Sequence, residues 1–173
     1  VKNSLKCGNL GGNGPNVRLF EKEFSKKVGA KYAIAVNNGT SALLASLFSF
    51  RDYLGKDLKI GVPSFTFIAS ANVAEVVGSL ILTDVDYNTW NIDKVNIPSD
   101  VNLILPVDVG GLPVDYDKIK KLGIPMIADS AESIGSKYQG DYVGSQADIH
   151  CFSLHKAKII TCGEGGMITT NNK

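Results

Sequence analysis

Lys158 stands five residues after Ser153 and three after His155, and the turn Gly163-Glu164-Gly165-Gly166 follows it. A serine, a histidine and a glycine-rich turn around one lysine describe a polar, glycine-lined pocket rather than a solvated face. A lysine amine becomes a useful nucleophile once it is deprotonated or captured as an imine, and burial favours both. Lys156 lies two residues away, and side-chain chemistry alone barely separates the pair. Imine chemistry on a lysine points to pyridoxal phosphate. That cofactor asks for an anion cradle, a carboxylate for its pyridine nitrogen and a flat group against its ring.

The chain offers a candidate for each demand. Gly39-Thr40-Ser41 follows an apolar run and opens a helical one. Free N–H groups and the helix dipole attract phosphate at such a junction, although a plain turn with an N-cap would read the same. Asp129 follows the apolar strand Pro125-Met126-Ile127-Ala128. Ligands of open α/β sheets bind at the carboxyl ends of strands, so Asp129 either holds a pyridinium proton or caps a helix over 130–134. Phe65 or Phe67 either stacks on a ring or joins the core. Ser153 ends a strand and can offer its hydroxyl to phosphate. His150 and His155 are the two histidines, and no cysteine or carboxylate spacing supports a metal site.

These residues are positioned by alternating elements. Residues 1–15 are rich in Gly and Asn and read as a mobile approach segment. Asn16 is then expected to cap an amphipathic helix carrying Val17, Phe20, Phe24 and Val28 and ended by Gly29. Strands are expected at 32–36, 59–62, 80–85, 103–107, 126–128, 149–152 and 167–170, with helices at 42–51, 68–77 and 115–122 and a turn at 139–141. Apolar strands alternating with helices predict a three-layer α/β/α sandwich around a mostly parallel sheet of about seven strands. No repeat or linker divides the chain, so residues 1–173 read as a single domain.

Bulk properties narrow the function class. The chain has 173 residues, 44% of them hydrophobic, and a net charge of +1. That charge gives no reason to expect nucleic acid or an acidic membrane surface. The basic patch Lys22–Lys27 is interrupted by Glu23 and reads as a solvated helix face. Three scattered cysteines, with no CxxC spacing, fit reduced thiols in a cytoplasm. No apolar run reaches the roughly 18 residues that a bilayer span needs.

The ordered motifs Asn38-Gly39-Thr40-Ser41-Ala42-Leu43, Pro63-Ser64-Phe65-Thr66-Phe67, Asp129-Ser130-Ala131-Glu132, Phe152-Ser153-Leu154-His155 and Gly163-Glu164-Gly165-Gly166 resemble the DegT/DnrJ/EryC1/StrS family. Its members are fold-type-I, pyridoxal-phosphate-dependent sugar aminotransferases. Leu154 stands where that family commonly has an aromatic residue, and Cys162 where it commonly has threonine. The resemblance implies that Lys158, by its spacing from Ser153, is the Schiff-base lysine. It further implies that the amides of Thr40 and Ser41 and the hydroxyl of Ser153 hold the phosphate, that Phe67 stacks on the ring, that Asp129 pairs with the pyridine nitrogen, and that Glu132 lies near the ring hydroxyl. The implied reaction moves an amino group from glutamate to a keto nucleotide-sugar within a cytoplasmic homodimer. The implied domain is the cofactor-binding large domain, without the family's N-terminal segment and C-terminal small domain. Two rivals remain: a pyridoxal-phosphate-dependent sugar dehydratase, in which histidine typically replaces the lysine, and a non-catalytic homologue serving as a binding partner.

Overall fold

The computed structural model describes residues 2–8, 11–55, 57–93 and 97–173. Short apolar runs become strands here because neighbouring runs supply the ladder hydrogen bonds that water would otherwise take. Strands β1 (Tyr32–Val36), β2 (Lys59–Pro63), β3 (Ser79–Thr83), β4 (Leu103–Ile104), β5 (Ile127–Asp129), β8 (Ile149–Ser153) and β9 (Gly166–Thr170) form two blocks, ordered β1-β9-β8-β5 and β3-β2-β4. Parallel bridges Ile104–Met126 and Val107–Asp129 join β4 to β5. The described pairings within the blocks are parallel except those of β9, which runs antiparallel to both β1 and β8.

Side chains on successive residues of a strand leave opposite faces of the sheet, and helices pack against both faces. Ile127, Cys151 and Ile168 enter a cluster with Leu43 and Leu47 of α3 (Gly39–Leu54) and Val73 and Val77 of α4 (Ile68–Val77). Their strand neighbours Phe152 and Met167 pack instead with Phe24 and Val28 of α2 (Pro15–Val28). Met126 and Ala128 meet Tyr116 and Ile119 of α5 (Tyr116–Lys120) on that same side. Helices on both faces make the expected three layers. Phe152 is fully buried, and its ring meets that of Phe24 edge to face at 5.2 Å. Such a pair adds about 0.5–1.5 kcal/mol beyond area burial.

Several boundaries differ from the sequence reading. Residues Lys2–Lys6 form a short helix, α1, within the segment expected to be mobile; Val1, Asn9 and Leu10 lie outside the described residues. Helix α2 starts at Pro15, so Gly14 and not Asn16 is its N-cap. Proline at the first helical position lacks the N–H that would be unsatisfied there anyway. Asn16 instead donates through Nδ2 to Ser4 Oγ at 2.6 Å. Helix α3 begins at Gly39 and runs to Leu54, and β5 extends one residue further to include Asp129. Asp115 caps α5 from outside, its carboxylate accepting the Lys118 amide. The turn expected at 139–141 joins β6 (Lys137–Tyr138) to β7 (Asp141–Tyr142). Gln139 and Gly140 both have positive φ, the backbone twist that suits a two-residue hairpin.

Candidate functional site

Parallel strands put their carboxyl ends on one edge of the sheet, and four of those ends lead into the candidate residues. After β1 the chain turns through Asn37 and Asn38 into α3. After β2 it passes Phe65, Thr66 and Phe67 before α4. Strand β5 closes on Asp129, and β8 closes on Ser153. Together they bound a cavity of about 640 Å³ whose lining includes Thr40, Phe67, Asp129, Glu132, Ser153 and Lys158. Six of the seven residues picked out from the sequence therefore converge. Ser41 is not among the lining residues.

The reason lies in the first turn of α3. Asn38 caps it, its Oδ1 accepting the Ser41 amide at 2.8 Å. The amides of Gly39 and Thr40 have no such partner among the described residues, and both residues line the cavity with Ser153. A Cβ placed on Gly39 would lie 2.9 Å from the Ser153 Cβ, so only glycine lets helix and strand approach this closely. Two open amides at a helix N-terminus beside a hydroxyl suit an anion. Asn38 could have been found in the sequence, because asparagine is among the preferred N-caps.

Asp129 also lines the cavity and is 5% exposed. Its Oδ2 accepts the Ser70 hydroxyl at 2.6 Å and its Oδ1 accepts the Ala131 amide at 3.1 Å. Thr66 Oγ1 donates in turn to Ser70 Oγ at 3.0 Å. Residues 130–134 form turns rather than the helix that Asp129 might have capped. Burial pushes the Asp129 carboxyl above its ordinary range, while the bonds from Ser70 and Ala131 pull it back. Such an acid is held ready for a cationic partner. Nothing in the sequence ties Ser70 to a carboxylate 59 positions away.

Lys158 lines the same cavity. Its Nζ lies 3.2 Å from Glu132 Oε1, and Glu132 Oε2 accepts the Gly110 amide at 2.9 Å. Lys158 is partly buried and lines the cavity, whereas Lys156 is exposed and does not. Both phenylalanines line it too. Phe65 leans on Trp90, with ring centroids 4.9 Å apart, while Phe67 stays 76% exposed, its face available to a flat ligand. His155 pairs at 3.6 Å with Glu164 at the rim. The residues present fit pyridoxal phosphate: an anion cradle at the start of α3 beside Ser153, a buried carboxylate, an amine and an aromatic face all line one cavity.

A family model described as the DegT/DnrJ/EryC1/StrS aminotransferase family matches residues 1–173. The chain is 40% identical over 162 residues to GDP-perosamine synthase of Caulobacter vibrioides, covering 88% of this chain and 43% of that protein. It is 37% identical over 164 residues to 3-amino-5-hydroxybenzoate synthase of Amycolatopsis mediterranei, covering 90% of this chain and 42% of that one. A solved structure of DesI in the presence of its TDP-sugar product superposes with a TM-score of 0.88 at 27% identity, covering 99% of this chain and 45% of that one. The chain thus spans less than half the length of each of these three relatives. No helix among the described residues is long and apolar enough to cross a membrane.

Proposed function

Since the chain belongs to the DegT/DnrJ/EryC1/StrS aminotransferase family, we propose that it is the cofactor-binding domain of a pyridoxal-phosphate-dependent enzyme that moves an amino group from glutamate to a keto nucleotide-sugar. One observation carries the reading: Thr40, Phe67, Asp129, Glu132, Ser153 and Lys158 line a single cavity. The family is pyridoxal-phosphate-dependent. The nucleotide-sugar class is supported by the names of relatives, one a GDP-perosamine synthase and one solved with a TDP-sugar product.

When bound, the cofactor supplies an electron sink that makes a substrate Cα proton labile and carries the nitrogen between the two substrates. The residues of this chain take the following parts. The Thr40 amide and Ser153 hydroxyl bind phosphate, and Phe67 covers one ring face. Asp129 holds the proton on the ring nitrogen, which preserves the sink. The Lys158 amine would hold the cofactor and would take and return the proton at the reacting carbon. Glu132 holds that amine in place through the 3.2 Å contact. A cytoplasmic homodimer belongs to the same reading. Exposed apolar side chains on and beside α4, among them Ile68 at 61% and Val76 at 68%, call for a covering surface.

Borohydride reduction of the cofactor-loaded protein followed by peptide mapping tests the assignment. The pyridoxyl label is expected on Lys158, and Lys158→Ala should abolish both the label and the violet absorbance of the bound cofactor. Labelling of Lys156 would overturn the site. Labelling of neither lysine would leave the non-catalytic reading.

A further inference from the structure

Behind the cavity lies a buried acid with no direct part in the chemistry above. Asp108 is 1% exposed, and its carboxylate collects four donors. Oδ1 accepts the Val114 amide at 3.0 Å and the Tyr116 hydroxyl at 2.8 Å. Oδ2 accepts the Ser130 hydroxyl at 2.9 Å and the Ser133 hydroxyl at 2.7 Å. The two serines bracket the loop that carries Ala131 and Glu132, and Asp129 directly precedes it.

The direction of these bonds is fixed by His150, which is fully buried. Its Nε2 lies 3.0 Å from the Gln146 amide and 2.8 Å from the Ala147 amide and so must accept from both. The ring proton therefore sits on Nδ1 and points at Ser130 Oγ, 2.9 Å away. Ser130 accepts from the histidine and has one proton left, which goes to Asp108. A carboxylate is the one group of this shape that can accept from all four neighbours at once. The backbone adds to the link: the Asp108 amide donates to Asp129 O at 3.1 Å, and the Asp129 amide donates to Pro106 O at 2.8 Å. Gly110, two residues after Asp108, gives its amide to Glu132.

Resting on the cofactor reading above, we propose that Asp108 is a positioning residue. Through Ser130 and Ser133 its carboxylate clamps the 129–133 loop, and so sets where Asp129 meets the cofactor ring and where Glu132 meets Lys158. The phosphate end of the cavity, built from α3 and Ser153, lies outside the clamp. Loss of Asp108 should therefore damage ring binding and spare anion binding.

The test compares the wild-type protein with Asp108→Asn and with Ser133→Ala, which removes a single clamp bond and is the milder change. In Asp108→Asn an amide N–H₂ faces two hydroxyls that already donate. Amide hydrogen exchange without cofactor is expected to quicken about tenfold or more at Gly110 and residues 131–133, the factor carried by one charge-assisted hydrogen bond. Exchange in β8 and β9 should stay at the wild-type rate. The dissociation constant for pyridoxal 5′-phosphate should rise by a similar factor, while that for inorganic phosphate stays unchanged. Ser133→Ala should shift the same signals less, and it decides the matter if Asp108→Asn does not fold. Exchange that quickens evenly over the chain, or a cofactor affinity unmoved in a folded variant, would overturn the proposal. A wild-type protein that binds no pyridoxal phosphate would instead sink the cofactor reading, and the exchange pattern would still decide the clamp.

Discussion

Ser70→Ala removes one buried hydroxyl that donates to Asp129 from behind the cavity, and its effect should depend on pH in a sense set by Asp129. The Ser70 hydroxyl is the Asp129 donor at 2.6 Å, inside a site where the carboxylate is 5% exposed. A hydrogen bond to a charged group is worth about 1.5–3 kcal/mol, and one to a neutral group about 0.5–1.5 kcal/mol. Burial raises the Asp129 pKa above 3.8, and the Ser70 bond is the largest influence lowering it again. A carboxyl whose folded pKa is raised weakens the fold as pH climbs from the unfolded value through the folded one. Removing Ser70 raises the folded pKa further and deepens that loss. At neutral pH the variant should therefore melt roughly 3–12 °C below wild type, taking about 2–4 °C per kcal/mol for a chain of this size. As pH falls and Asp129 takes up a proton in both proteins, the gap should shrink toward the neutral hydrogen-bond value. Thermal melts of the two proteins over a pH series give the answer. A gap that stays constant, or widens in acid, would refute the assignment of Asp129 as the buried, charge-bearing acid of the site.

Two further outcomes follow from particular contacts. Gly39→Ala brings a methyl to 2.9 Å from the Ser153 Cβ. It should push helix and strand apart at the phosphate end and lower affinity for inorganic phosphate and cofactor alike about tenfold or more, as measured by titration calorimetry. Unchanged phosphate binding would remove Ser153 from the cradle. Burial pushes the His150 pKa from 6.5 down to about 3, so the folded state resists its protonation. The His150 contribution to stability should be complete above about 6.5 and drain away as pH falls toward about 3, and urea titrations of His150→Gln should show a shallower acid loss than wild type. Equal slopes would mean that His150 is not neutral in the fold.

Much of this was legible in the linear chain, for identifiable reasons. A strand such as Ile149–Ser153 lies in the middle of the sheet with helices over both faces, leaving no solvent side to impose a strict polar alternation. Loops leaving parallel strands share one edge, so motifs at strand ends such as Gly39-Thr40, Phe67, Asp129 and Ser153 could be expected to meet. The order of strands in the sheet, with β9 inserted antiparallel between β1 and β8, was not legible, because pairing depends on contacts between distant segments. The same holds for what surrounds each site residue. Whether Lys158 or Lys156 enters the cavity depends on the turn after β8, and chemistry two residues apart is silent on it. That Ser41 gives its amide to Asn38, that Ser70 reaches Asp129 and that Asp108 gathers Tyr116, Ser130 and Ser133 are facts of tertiary packing. Residue type records which groups can donate or accept. Only the fold, by burying them away from water, decides which of those groups must find one another.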